Sequence, residues 1–495
     1  MTTTYLTVAI PYVNAAPHLG YAYELVLADI AVRARRARGE RVRFLGGTDD
    51  YSLKNVLAAE AAGVPTATFV TAQSERFARL PEPLSVSFDD FIHTSSDPRH
   101  APAVARLWAT VADRGDLYRK RYSGQYCVGC EQFYTSDELV DGCCPEHGTP
   151  TEPVEEDNWF FRLSAYQDHL EDAITSGALR ITPTAYRAEA LAFIRAGLSD
   201  ISVSRSARRA RGWGIPVPGD PDQVIYVWFD ALTNYVSALD YGTPDSSAYQ
   251  RWWSDADERI HVIGKGILRF HAVYWPAFLA SAGECGPTRI HVHPYLSLDG
   301  VKLSKSSGVG VDPVSQADDY GIDALRWWFA RDVQTTSDTD FSTDRLVRRA
   351  NEDLAGGVGN VVSRITVLIH RHRSGIVPDL DELPIPGVRG VAEAVHTALA
   401  DLELRQGTSL LAEAVASLNR DIEATTPWHL AKDPAQAATL DRVLSRHLSS
   451  AAEIVRALGP VLPDLAARLE GRLGPPGSRL VQAEPAYPRI ERGSG

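Results

Sequence analysis

The chain has 495 residues, 44% of them hydrophobic, and a net charge of −13. Room exists for about three domains of ~150 residues, and the acidic balance excludes a protein that coats nucleic acid nonspecifically while leaving an RNA partner met by a local basic face. No apolar run reaches the roughly eighteen residues of a membrane span, no basic segment leads into an apolar core, and five cysteines are too few for a disulfide framework. A cytoplasmic protein with no membrane partner is expected.

Taken in order, Tyr5 to Ile10 is a short apolar, β-branched run of buried-strand length, broken by Pro11, Asn14 and Pro17. His18-Leu19-Gly20-Tyr21 follows and enters a helical pattern over Tyr23 to Ile30. A strand, a polar loop and a helix start make a seat for phosphate, because free N–H groups and the positive dipole end face the loop. Gly20 lets a ligand approach the backbone, and His18 can donate to phosphate oxygens. Arg41 to Gly47 reads as a second strand, ending in Thr48-Asp49-Asp50, with helical segments at Leu53 to Ala62 and Pro65 to Leu80. This alternation predicts a parallel sheet with ligands at the strand carboxyl ends, which makes the Pro11–Tyr21 loop and the Thr48–Asp50 turn neighbours. Asp49 is then a counter-ion for an ammonium group or, equally, a helix N-cap.

Cys127, Cys130, Cys143 and Cys144 cluster beyond residue 116. Cys127-x-x-Cys130 and Cys144-x-x-His147 are two pairs of the spacing that holds tetrahedral Zn²⁺ with three thiolates and one imidazole. Cys144 is preferred to Cys143 because it completes the x-x spacing, and with no open position the metal is structural.

From about residue 190 the alternation resumes. Ile201 to Ser204 leads to Arg205, with Arg208, Arg209 and Arg211 beyond it; a solvated face competes with pairing to a crevice carboxylate. Gln223 to Phe229 is a strand feeding a helix, on which Trp228, Ala231, Leu232 and Tyr235 make an apolar wall or plain core. Ile260 to Ile263 is a further strand ending in Gly264-Lys265-Gly266, with Phe270-His271 on the next helix. After Arg289 to His293 comes Asp299 to Gly308, where Lys302 and Lys305 alternate with Ser304 and Ser306. Such a cationic flap can hold β- and γ-phosphates and stabilise charge on departing pyrophosphate.

Together these residues resemble the class I aminoacyl-tRNA synthetases and, among them, the methionyl-tRNA synthetase family. The HIGH motif appears as His18-Leu19-Gly20-Tyr21 and KMSKS as Lys302-Leu303-Ser304-Lys305-Ser306. More specific matches are Ala9 to Asn14, Gly47-Thr48-Asp49, Tyr226 to Ala231 and Leu268 to His271. Tyr320 to Arg326 and Thr426-Pro427-Trp428 carry the resemblance over nearly the whole chain. It implies an α/β fold with a Rossmann-type parallel-sheet catalytic domain and a zinc-knuckle insertion, followed by an α-helical bundle domain. The implied boundaries are 1–115 and 191–319 for the catalytic halves, 116–190 for the insertion, 320–345 for a stem-contact segment and 346–495 for an anticodon-binding-like domain and tail.

The same resemblance implies activation of methionine, or a close analogue, by ATP with Mg²⁺ and transfer to tRNA. Ile10, Tyr12, Trp228, Ala231, Leu232, Tyr235 and His271 match positions around the methionine side chain; Asp49 matches the receiver of its ammonium and Arg205 the arginine that braces it. His18, Tyr21, Lys302 and Lys305 are the implied catalytic donors, with Gly20, Ser304 and Ser306 also at ATP, and Trp428 a platform for an anticodon base. Tyr21 replaces the second histidine of HIGH, Gly47 to Ser52 departs from Gly-Thr-Asp-Glu-His-Gly, Gly266 replaces the aspartate of Gly-Lys-Asp, and His370 replaces the asparagine of Ile-Asn-Lys-Tyr. These departures keep open a tRNA-independent paralogue that passes the activated amino acid to an N-hydroxylated amine. A non-catalytic RNA-binding relic fits poorly with the retained His18, Asp49, Lys302 and Lys305.

Overall fold

The computed structural model describes residues 2–127, 132–134, 138–145, 148–302, 311–480 and 485–491. Its centre is a sheet of six strands: β1 (Thr3–Val8), β2 (Arg41–Thr48), β3 (Asp90–His93), β4 (Arg180–Thr182), β5 (Glu258–Gly264) and β6 (Arg289–His293). They lie in the order β3-β2-β1-β5-β6-β4, and every pairing is parallel. β1 is buried at every position, as a strand covered on both faces requires, so it reads as a run and not as an alternation. Its threonines are accommodated by side-chain hydrogen bonds; Thr7 Oγ1 lies 2.7 Å from His261 Nδ1 on β5.

Strand order reverses between β1 and β5. Crossovers leave that point in opposite directions, so a crevice opens at the carboxyl ends of these two strands. Helix α1 (Leu19–Ala37) leaves β1 and covers one face, and α2 (Val227–Ser237) packs into the core of the other.

The segment between the halves is a long antiparallel pair, Leu117–Cys127 with Glu152–Phe161, in which Tyr126 opposes Glu152. Gln132–Tyr134 pairs along the end of its first strand. Residues 180–182, expected within the insertion, instead lie in the central sheet as β4 beside β6.

Beyond Ser342 the described chain is mainly helical, including α3 (Gly359–Arg373), α4 (Val391–Ala400), α5 (Leu404–Thr425) and α6 (Ala437–Leu458). This bundle shares one core with α1. Arg35 of α1 donates from Nε to Ala400 O at 3.1 Å, and Arg289 of β6 donates from Nη2 to Asp401 O at 2.8 Å. Arg326, fully buried, donates to Val461 O at 2.7 Å, to Leu84 O at 2.9 Å and to the Asp29 carboxylate of α1 at 2.7 Å. Asp29 also accepts from Arg33 Nε at 2.8 Å and from Ser87 N and Oγ. Burial opposes its charge, but Arg326 and Arg33 outweigh that and hold its carboxyl below the usual range. Among the described residues, no helix is long and apolar enough to cross a membrane.

Candidate active site

The crevice begins where α1 does. His18 is the N-cap, and its Nδ1 accepts from Gly20 N at 3.1 Å and Tyr21 N at 3.4 Å. An Nδ1 used as acceptor carries no proton, so neutral His18 has its N–H on Nε2, away from the helix. The cap thus presents one side-chain donor beside a positive helix end. A Cβ on Gly20 would meet the His18 ring at 3.1 Å, which explains the glycine. Tyr21 is packed against Phe77 with ring centroids 5.6 Å apart, and its hydroxyl is enclosed without a hydrogen-bond partner among the described residues. Burial raises its pKa well above the usual phenol range.

The described residues on either side of the second signature lie near the same place. Leu296–Leu298 and Val301–Lys302 form a hairpin, in which Ser297 opposes Lys302. Asp340 accepts from Ser297 Oγ at 2.9 Å and Gly300 N at 3.0 Å; Asp338 accepts from Tyr295 N at 2.9 Å and Lys265 Nζ at 2.7 Å. Ser304, Lys305 and Ser306 lie outside the described residues, as does the side chain of Lys302. The chain is described again from Val311, whose carbonyl accepts from Leu19 N at 3.0 Å. Val311 thus lies against the residue next to His18.

The two expected neighbours are joined by backbone: Asp49 N donates to Pro11 O at 3.0 Å, and Tyr12 bridges to Asp49 in parallel sense. Ser52, not Asp49, caps the following helix, accepting from Lys54 N at 3.1 Å. That leaves the buried Asp49 carboxylate in a turn, where it accepts from Tyr51 N at 3.2 Å. Asp50 is a buried brace: its carboxylate accepts from Ser74 Oγ at 2.7 Å and from Ser95 N and Oγ. Ile10 reaches Gly47, whose missing Cβ would lie 2.5 Å from Ile92 O and 3.0 Å from the Ile10 side chain.

Trp228, Ala231, Leu232 and Tyr235 fall on one face of α2 at helical spacing. Trp228 is half-buried, stacked on Phe270 with centroids 3.7 Å apart, and stands 6.3 Å from Tyr12. Below it Tyr235 Oη lies 2.7 Å from His271 Nε2, while His271 Nδ1 lies 3.0 Å from Ile267 O. A carbonyl only accepts, so Nδ1 carries the proton and Nε2 accepts from the Tyr235 hydroxyl. Burial lowers the His271 pKa to about 4, keeping this base neutral. Arg205 is buried, donating from Nη1 to Ser202 Oγ at 3.0 Å and Ser204 O at 2.7 Å.

Three supports escaped the sequence reading. Glu24 accepts from Ala9 N at 2.9 Å and faces His293 Nε2 at 2.9 Å, tying α1 to the ends of β1 and β6. Asp230 pairs with His100 Nε2, and burial raises its pKa despite that partner. Trp213 donates from Nε1 to Asp50 O at 2.7 Å. An acid within the apolar run of α1 is a signal for Glu24, as for Asp29; Trp213 carries none.

Cys127 and Cys144 are buried in one small cluster with Tyr134, and Cys144 Sγ donates to the Tyr134 hydroxyl at 3.5 Å. Cys130 and His147 lie outside the described residues. Among the described residues no three metal-ligating side chains converge. In the bundle, Trp428 is half-buried on the short helix Pro427–Leu430 and packs on the shared core. A cavity of about 830 Å³ runs along α3, lined by Ser363, Thr366, His370, Arg371, Arg472 and Tyr487.

Residues 4–153 and 147–366 match the family model for tRNA synthetases class I (M). The chain is 40% identical over 491 residues to the methionine–tRNA ligase of Mycobacterium bovis, covering 95% of this chain and 92% of that protein. It is 36% identical over 513 residues to that of Thermotoga maritima, covering 98% and 80%. Among solved structures, Mycobacterium tuberculosis methionyl-tRNA synthetase in complex with methionyl-adenylate superposes with a TM-score of 0.93 at 37% identity, covering 99% of this chain and 100% of that one. The free state of the same synthetase gives 0.87 at 35% identity, covering 99% of each chain.

Proposed function

The chain belongs to the tRNA synthetases class I (M) family, and from that premise we propose that it activates L-methionine with ATP and transfers the methionyl group to tRNA in the cytoplasm. The observation that carries this reading is the single crevice in which His18, the Asp49 turn and the face of α2 meet the ends of the Lys302 stretch. The methionine carboxylate attacks the α-phosphorus, a P–O bond forms, and the bond to the bridging oxygen breaks with release of pyrophosphate. Positioning and electrostatics dominate such a step.

Asp49 receives the α-ammonium, and Arg205 braces the Asp49 carboxylate. Ile10, Tyr12, Trp228, Ala231, Leu232, Tyr235 and His271 enclose the side chain, with His271 neutral. His18 Nε2–H donates to phosphate oxygens over Gly20, and Lys302 and Lys305 meet the leaving pyrophosphate, with Ser304 and Ser306 on the same flap and ATP entering as its Mg²⁺ complex. Tyr21 supports this turn from its buried side.

The paired burial of the Cys127 and Cys144 thiols fits a thiolate metal site. With Cys130 and His147 they would hold Zn²⁺, which supplies a structural anchor for the insertion. For tRNA, the bundle offers Trp428 as a stacking surface and the His370–Arg371 groove as a basic face.

The test is ATP–pyrophosphate exchange over an amino-acid panel beside tRNA charging. Methionine-dependent exchange with charging of tRNA is expected. Exchange without any charging would replace the tRNA reading by an N-hydroxylated amine as acceptor.

A further inference from the structure

Arg205 lies beside two aromatic rings. Its guanidinium carbon lies 4.3 Å from the Tyr226 ring centroid and 5.3 Å from that of Tyr126. Tyr226 is the N-cap residue of α2, whose face walls the amino-acid pocket. Tyr126 is the penultimate residue of the insertion strand Leu117–Cys127 and is only 2% exposed. Arg209 lies against the same Tyr126 ring at 4.4 Å, and its Nη2 reaches Glu152 Oε2 at 3.4 Å on the paired strand, directly opposite Tyr126. The end of the hairpin is thereby clipped onto the segment that carries Arg205.

A buried guanidinium needs compensation for the water it has lost. The Nη1 bonds to Ser202 and Ser204 anchor one corner of Arg205, and the Tyr226 and Tyr126 rings lie against the cation. An aromatic face attracts a cation through its ring quadrupole and does so most strongly when desolvated.

We propose that Tyr126 is a positioning residue: its ring, held by the insertion hairpin, fixes the guanidinium of Arg205 and thereby sets amino-acid affinity. This rests on the reading of Arg205 as the arginine that braces the Asp49 carboxylate, the receiver of the amino-acid ammonium. The insertion then matters to activation through an aromatic ring as well as through its own folding.

The experiment compares Tyr126→Leu, Tyr126→Met, Tyr126→Phe, Arg205→Leu and the double variant Tyr126→Leu/Arg205→Leu in the full chain, reading pyrophosphate exchange and thermal unfolding. Tyr126→Leu and Tyr126→Met should raise the methionine KM about ten-fold, with little change in the ATP KM or kcat. Tyr126→Phe, which keeps the π face, should restore the parent KM, and the double variant should be no worse than Arg205→Leu alone. If the leucine variant does not fold, the methionine variant, closer in reach, decides. A methionine KM unchanged in a folded Tyr126→Leu or Tyr126→Met, while Arg205→Leu raises it, overturns the proposal and spares the reading of Arg205. Unchanged KM in Arg205→Leu overturns that reading itself, and equal effects on both substrates would mean that Tyr126 only packs.

Discussion

The two ends of α1 are built on opposite plans. At its start the helix is capped by the His18 side chain, and no acid occupies the first turn. Further along, buried polar side chains of the helix are tied to the rest of the fold. Asp29 meets fully buried Arg326, which ties the helix to the loop before β3 and to the bundle at Val461, while Arg35 reaches Ala400. At the start the cap satisfies Gly20 N and Tyr21 N within one turn, whereas Asp29 and Arg35 also reach segments hundreds of residues away. The lesson is that a site needing open donors can rest on a helix only if that helix is immobilised elsewhere.

Asp29→Ala should produce the largest effect. It leaves Arg326 buried and without its carboxylate, costing about 3–5 kcal/mol in denaturant unfolding. A loss below about 1 kcal/mol would mean that apolar packing alone holds the helix. At the other end, His18→Ala should lower the pyrophosphate-exchange rate by roughly 10²–10³-fold while unfolding moves by only about 1 kcal/mol. Parent-like turnover in that variant would remove His18 from the chemistry.

Acid separates the pocket from the lock. The His271 pKa falls from an unfolded value near 6.5 to about 4 in the fold. A depressed histidine binds more protons when unfolded, so its stabilising contribution is full above that unfolded value and declines as pH falls toward 4. The change is on the order of 3 kcal/mol, with buried His261 and His291 acting in the same direction. Asp29 is lowered from a usual carboxylate value, so its contribution holds through that window and is lost only below it. Unfolding measured from pH 7 to 4 should show the decline, and His271→Gln should flatten it in part; an unaltered slope would place the titration elsewhere. The smallest change is Gly20→Ala, whose Cβ would press on the His18 ring at 3.1 Å. A shift of tenths of an ångström should slow exchange about three- to ten-fold at nearly constant stability.

Much of the crevice was legible because its chemistry is local. The broken run after β1 announced the cap at His18, and the strand ending at Thr48 announced the Asp49 turn. Whether Asp49 capped a helix was not legible, since Ser52 stands three residues on and is an equally good cap; the backbone placed the start at Leu53. Tyr21 read as a crevice donor from its motif, yet its ring packs against Phe77 with its hydroxyl enclosed. A residue on the first turn faces either the loop or the core, and its helical phase relative to the sheet settles which.

The sequence by itself determined the alternation of strands and helices, the breakers that open the crevice, the helical spacing of Trp228, Ala231, Leu232 and Tyr235, and the cysteine pairs. Each depends on neighbours within a few residues, through backbone sterics, helical period or ligand spacing. Tertiary structure alone decided that β4 joins β6, that Glu24 meets His293, that Arg326 gathers Asp29 and Val461, and that Tyr126 comes to rest beside Arg205. These contacts join segments far apart in the chain, where a polar or cationic side chain taken out of water had to find whatever partner the packed elements brought within reach.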